Sequence, residues 1–164
     1  MIRTGIGYDS HRFAAGGSML LGGVEVATGM QLVGHSDGDA IAHALTDAIL
    51  GAAAAGDIGA MFPDTDQANK GRDSIEMLRA AVAVIAGLGF RVTNVDITVI
   101  AEKPKIGPHR DAICGSLAAA LGIHRDGVSV KGKTNEGMGW IGSGEGLACI
   151  AVATITSGSD SGDS

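Results

Sequence analysis

Three observations predict a single domain of the α/β class (α+β type) for this 164-residue sequence. Stretches carrying a helical apolar stripe are interleaved along the chain with stretches of alternating or continuous apolar character. Segments rich in glycine, proline and aspartate punctuate them. Hydrophobic residues make up 45% and charged residues 18%, the composition of a chain that buries one core rather than of a disordered one.

Taken in order, Ile2–His11 reads as a short strand running into a loop, with Asp9 and His11 two apart and so on one side of it. Met19–Val26 reads as a hairpin-like edge turning at Gly22-Gly23. A first helix is predicted from about Asp37 to Ala55, stopped by Gly56–Gly59. Residues 62–73 have loop chemistry. Asp73-x-x-Glu76 is a variant capping box opening a second helix, whose apolar stripe is Ile75, Leu78, Val82 and Ile85. Val92–Ala101 alternates as a strand. Pro104 and Pro108 bracket a rigid loop before a third helix at about 109–121, with Ile113, Leu117 and Leu121 four apart. Gly127–Thr134 and Leu147–Ile155 are the remaining strands, joined by a glycine-rich loop. The domain spans 1–156, and 157–164 (SGSDSGDS) reads as a disordered polar tail.

Composition also excludes functions. A net charge of −6 argues against a general nucleic-acid binder, which needs a basic face to displace counterions. No apolar run approaches the ~20 residues of a membrane span, and nothing resembles a signal peptide. A cytoplasmic location is expected. Cys114 and Cys149 lack CxxC spacing and read as buried free thiols.

The chemistry concentrates in HSDGDAIAHALTD (35–47). Asp39, His43 and Asp47 recur at i, i+4, i+8 and share a face, while Ile41, Leu45 and Ile49 form a core stripe on another. Aspartates inside a helix cost propensity, and Asp9-x-His11 supplies matching ligands at a strand end. One carboxylate and two imidazoles make a three-ligand zinc set with an open position, and Asp39 and Asp47 are expected to support it from behind. His35-Ser36, ahead of the helix, is placed to receive an anion at unpaired N–H groups. GMGWIG (137–142) matches GxGxxG but lacks the following helix and distal acid of a dinucleotide site. Lys103 and Lys105 in the proline-braced loop, and Lys133, Thr134 and Glu136, offer phosphate contacts, a hydroxyl and a carboxylate for a hard cation. No Ser/His/Asp or Cys/His nucleophile arrangement is evident from spacing.

Taken together, YDSH, GHSDGDAIAHALTDAILGAAAAGDIG, FPDTD, NKGRDS, VDITVIAEKPKIGPH and KTNEGMGWIGSGEGLA resemble the 2-C-methyl-D-erythritol 2,4-cyclodiphosphate synthase family over residues 2–156. The resemblance implies a small mixed β-sheet packed by three helices, assembled as a homotrimer with active sites between subunits. It implies a phosphorus–oxygen lyase that cyclises 4-diphosphocytidyl-2-C-methyl-D-erythritol 2-phosphate with release of CMP, in non-mevalonate isoprenoid synthesis. Zn2+ falls on Asp9, His11 and His43, and a second cation, Mg2+ or Mn2+, on Glu136 through substrate phosphates. Catalytic roles fall on His35 and Thr134. Substrate contacts fall on Ser36, Asp57, Ile58, Gly59, Phe62, Pro63, Asp64, Thr65, Asp66 and Trp140. The cytidine pocket falls on Ala101, Pro104, Lys105, Ile106, Gly107, Lys133, Thr134, Asn135 and Glu136. Ser143 stands where many members carry an arginine associated with anionic isoprenoid binding on the trimer axis, so tight diphosphate binding there is not expected. The competing readings are a zinc-dependent phosphodiesterase or phosphohydrolase and a catalytically inactive trimeric ligand-binding module.

Overall fold

The first strand is far longer than its sequence suggests. In the computed structural model, which describes residues 1–157, β1 runs from Ile2 to Leu21 and serves two partners in turn. Residues 2–12 pair antiparallel with β5 (Gly146–Ser157), and residues 13–21 pair antiparallel with β2 (Val24–Leu32). The expected loop after His11 is therefore strand, because the second half of β1 finds its ladder partner across the Gly22-Gly23 turn. Both glycines hold positive φ there, as the tight reversal requires. β3 (Phe90–Ile100) lies antiparallel to β5 and parallel to β4 (Val128–Lys133). The order β2-β1-β5-β3-β4 is a mixed five-stranded sheet.

Three longer helices cover one face: α1 (Ala40–Ala52), α3 (Ser74–Gly87) and α4 (Arg110–Leu121). Two single-turn helices are added: α2 (Ile58–Met61) starts within the predicted helix stop at Gly56–Gly59, and α5 (Gly139–Gly142) lies in the segment read as a glycine-rich loop. They are too short to show an apolar period. The stripes land as expected for Ile75, Leu78 and Ile85 and for Ile113, Leu117 and Leu121, all buried, while Val82 is only partly so. Asp73 does cap α3, accepting from Ile75 N, but Glu76 pairs with Arg79 instead of closing the box.

With few aromatics available, the core is assembled by close approach of small residues. Gly5 and Gly7 on β1 face α1, where an added Cβ would stand 2.0 Å from Ala48 O and 1.8 Å from Ala44 O. Opposite them Ala40, Ala44, Ala48 and Ala52 line α1 at four-residue spacing, all buried. The helix therefore lies directly on the strand that carries Asp9 and His11.

α1 begins three residues later than predicted. Gly38 sits at φ +75°, and Asp39 is extended and caps the helix by accepting from Ala42 N at 3.0 Å. The polar tail expected over 157–164 loses its first residue, since Ser157 ends β5 and its N–H donates to Met1 O. Residues 158–164 lie outside the described residues. No helix among the described residues is long and apolar enough to cross a membrane. Cys114 and Cys149 are buried free thiols, and burial pushes the Cys149 thiol well above its ordinary range.

Candidate active site

Three ligand-type atoms converge where β1 meets α1. Asp9 Oδ2 lies 2.7 Å from His11 Nε2 and 3.1 Å from His43 Nδ1, and the two ring nitrogens are 3.3 Å apart. Strand alternation puts Asp9 and His11 on the helix side of the sheet, and the glycine–alanine contact below them brings His43 within reach.

The hydrogen bonds behind the imidazoles decide what this trio can do. His11 Nδ1 donates to Val33 O at 2.7 Å; a carbonyl only accepts, so Nε2 is left with its lone pair facing inward. Asp9 Oδ2 adds a second acceptor, with His43 Nδ1 facing both. Burial opposes charge on Asp9, but the adjoining rings of His11 and then His43 hold its carboxyl below the ordinary value. Burial likewise works against a charged His11, yet Asp9 raises its pKa. Converging acceptors of this kind call for a cation. Zinc bonds of about 2.0–2.1 Å in a tetrahedron separate ligand atoms by about 3.3 Å, close to the 3.1 and 3.3 Å seen from His43 and longer than the 2.7 Å between Asp9 and His11. The Asp-His-His set is the only potential metal group among the described residues. The donor set fits zinc.

The supporting roles expected of Asp39 and Asp47 are corrected. Asp39 is fully buried and accepts from Gly22 N, Gly23 N and Ala42 N; it ties the β1–β2 turn to the start of α1. Burial raises its pKa against the pull of those donors. Asp47 accepts from Ile58 N at 2.7 Å and so anchors α2. His43 Nε2 is met instead by Ser36 Oγ at 2.8 Å and Ser74 Oγ at 2.7 Å. The spacing showed no Ser/His/Asp arrangement, yet Ser36, His43 and Asp9 now stand in that order. Ser74 was not singled out, because nothing in its sequence neighbourhood ties the start of α3 to His43.

A cavity of about 250 Å³ opens beside the trio, lined by Asp9, His11, His35, Ser36, His43, Ile58, Gly59, Phe62, Asp64, Asn69 and Met77. His35 Nε2 is buried without a hydrogen-bond partner, free to meet a ligand. The helix N-terminus is not what it offers, since Asp39 already occupies that position. Of the other expected substrate contacts, Asp57 caps α2 and Asp66 caps the turn at Gln67. Pro63 O accepts from Asn69 Nδ2, and Thr65 sits exposed on the same loop. Arg72 stacks over Phe62 at 4.6 Å and bonds Asn69 Oδ1, bracing the loop.

A second cavity of about 240 Å³ gathers Ala101, Pro104, Lys105, Ile106, Gly107, Lys133 and Thr134, with Pro108, Arg110 and Gly132. Asn135 and Glu136 do not line it. They ride on a turn that Glu102 holds by accepting from Asn135 N and Gly137 N, with Glu136 at φ +54°. The strand register Ser10–Ala148–Ile100–Lys133 separates the two cavities by three strand spacings, about 14 Å. Thr134 therefore does not share a cavity with His35 within one chain. Trp140 lines a third hollow with Ser10, His11, Arg12 and Glu145.

A model of the YgbB family matches residues 2–156. The chain belongs to the YgbB family. A curated relative from Gemmatimonas aurantiaca, 2-C-methyl-D-erythritol 2,4-cyclodiphosphate synthase, is 63% identical over 155 residues, covering 94% of this chain and 93% of that protein. Another of the same name, from Erwinia tasmaniensis, is 53% identical over 154 residues, covering 94% and 98%. Among solved structures, a 2C-methyl-D-erythritol-2,4-cyclodiphosphate synthase in its CDP-bound form has a TM-score of 0.86 at 36% identity, covering 94% of this chain and 100% of that one. These YgbB-family matches span both cavities and every element of the sheet.

Proposed function

We propose that the chain is a 2-C-methyl-D-erythritol 2,4-cyclodiphosphate synthase: it cyclises 4-diphosphocytidyl-2-C-methyl-D-erythritol 2-phosphate and releases CMP, in isoprenoid synthesis by the MEP pathway. The observation that carries the reading is the convergence of Asp9, His11 and His43 beside the cavity that holds the unpartnered His35 Nε2. Together with the identity to named synthases, it ties a phosphate-handling site to one reaction.

The substrate brings its own nucleophile. A phosphate monoester is largely dianionic at pH 7, its second pKa being about 6, so attack of the 2-phosphate on the β-phosphorus needs no enzymic base. What the chain supplies is placement, and oriented intramolecular reactions reach effective molarities of about 10⁵ M or more. Zinc on Asp9, His11 and His43, with magnesium or manganese held near Glu136 through the phosphates, would supply Lewis-acid neutralisation of the phosphate charge when bound. His35 would hydrogen-bond a phosphate oxygen from the cavity wall. Ile58, Gly59 and the Arg72-braced Phe62–Asp66 loop would hold the methylerythritol end. Ala101 and Pro104–Gly107 would enclose the cytosine, with Lys105 and Lys133 near its phosphates.

The assembly that fits is a homotrimer. One chain keeps its two cavities about three strands apart, and on the sheet face away from the helices Ile6, Tyr8 and Ile150 are 70%, 57% and 36% exposed. Tyr8 pairs with Ile150, and Ile6 with Val152, making a continuous apolar patch suited to a second copy. Copies packed there would set the second cavity and Thr134 of one subunit against the metal trio of the next. A cytoplasmic location goes with this reading.

The alternative drawn from the geometry is hydrolysis, with Ser36, His43 and Asp9 acting as a metal-free triad. Sharing of Asp9 Oδ2 by both imidazoles favours the metal instead. Incubation with the cytidylyl substrate separates the readings. Cyclic diphosphate with CMP supports the synthase, a linear phosphate supports a hydrolase, and binding without turnover supports a ligand-binding module. Metal analysis is expected to return about one zinc per chain, lost in His43→Ala.

A further inference from the structure

His43 makes its outward hydrogen bonds to two serines, and one of those serines is not free to choose its role. Ser74 is fully buried at the first turn of α3. Its Oγ–H donates to Asp37 Oδ1 in a very short bond, while its backbone N–H donates to Asp37 Oδ2 at 3.0 Å. Asp39 N adds a third donor to the same carboxylate at 3.1 Å. A hydroxyl has one proton. Having given it to Asp37, Ser74 Oγ presents only lone pairs toward His43 Nε2, 2.7 Å away. That contact is attractive only if Nε2 carries hydrogen, and a neutral imidazole has a single N–H.

We infer that Asp37 and Ser74 act as positioning residues that set the tautomer of His43, keeping the proton on Nε2 and so leaving Nδ1 as a metal ligand. A ligating histidine ordinarily donates its outer N–H to a carboxylate or carbonyl. His11 does so directly, to Val33 O. His43 does so through a hydroxyl, with the carboxylate one step removed on the loop before α1. Because Asp37 and Ser74 lie on different elements, the relay also ties the start of α3 to the metal site.

The same count removes Ser36 from a nucleophile's role. An Nε2 that donates to Ser74 has no lone pair with which to take the Ser36 proton, so the Ser36–His43–Asp9 order lacks its base.

The inference rests on the zinc reading of the trio, and its test keeps the two apart. Zinc dissociation constants, measured by chelator competition on the full chain, are expected to rise about 10–100-fold in Ser74→Ala and in Asp37→Asn, and less in Ser36→Ala. Nitrogen NMR of the His43 ring, at a pH where it is neutral in the metal-free chain, is expected to show the proton on Nε2 in the unmodified protein. In Ser74→Ala the two tautomers should mix. A purely structural role for Ser74 would leave that tautomer signature unmoved. A proton found on Nδ1 of the unmodified protein overturns the relay, even if neither variant folds. So does an Asp37→Asn variant that binds zinc as tightly as its parent. An unmodified protein that binds no zinc sinks the metal reading itself, a result distinct from either.

Discussion

Replacing Gly7 by alanine is the most direct trial of how this fold builds its site. The added Cβ would stand 1.8 Å from Ala44 O, 2.7 Å from Ala44 C and 2.9 Å from Ala48 N. All three are backbone atoms of α1, so no rotamer change can relieve the overlap. Carbon contacts become comfortable only near about 3.5 Å, so α1 and β1 must separate by about 1.7 Å. Asp9 and His11 belong to one element and His43 to the other, and their ligand atoms lie only 2.7–3.3 Å apart. A displacement of that size takes His43 out of the set. Overpacking of a tight core costs about 1–3 kcal/mol, which for a chain of this length lowers Tm by about 3–10 °C. The loss of ligand geometry should also weaken zinc binding by more than about 10-fold. Calorimetry and chelator competition read the two effects separately. Gly51→Ala is the control: it is exposed in α1 and its Cβ would meet nothing, so helix propensity predicts a gain of about 0.5–1 kcal/mol. Gly7→Ala with unaltered Tm and zinc affinity would refute the idea that glycine–alanine packing sets the metal geometry.

Further outcomes follow from other contacts. Asp39→Ala strands the N–H groups of Gly22, Gly23 and Ala42; at about 1–3 kcal/mol for each buried donor, the urea midpoint should fall by the equivalent of more than about 3 kcal/mol. Arg72→Ala removes the stack on Phe62 and the bond to Asn69, so steady-state kinetics should show KM rising about 5–10-fold with kcat nearly unchanged. In the metal-free protein, the raised pKa of His11 stabilises the fold fully below its unfolded value of 6.5, and this contribution is lost as pH rises through the folded value. The lowered pKa of Asp9 contributes above 3.8 and is lost as pH falls through its folded value. Unfolding curves across pH should thus show metal-free stability declining on the alkaline side of 6.5, while zinc affinity rises there as His11 sheds its proton. A metal-free protein that gains stability across that range would contradict the assignment.

Much of the site was legible because the relevant chemistry is local. Asp9 and His11 alternate on a strand, and His43 falls at a helical interval whose neighbours Ile41, Leu45 and Ile49 must face the core. Ala101, Pro104–Gly107, Lys133 and Thr134 line one cavity, a grouping that only the family resemblance implied, since they lie on segments distant in sequence. Asp39 and Asp47 were misread for a physical reason: periodicity says which side of a helix a carboxylate occupies, not which backbone N–H it meets. Asp39 found the β1–β2 turn and Asp47 the start of α2, both remote in sequence. The start of α1 was misplaced because a capping aspartate and a helix-interior aspartate look alike until Gly38 is seen at positive φ.

By itself the sequence determined the alternation of strands and helices, the apolar stripes, the hairpin at Gly22-Gly23 and the residue types of the Asp-His-His trio, since each depends on intervals of a few residues. Only the tertiary structure decided that β1 serves two partners, that Ser74 and Asp37 stand behind His43, and that the two cavities lie apart in one chain. Those facts depend on which distant backbone groups are brought within hydrogen-bonding range, and the small residues between α1 and β1 set that range.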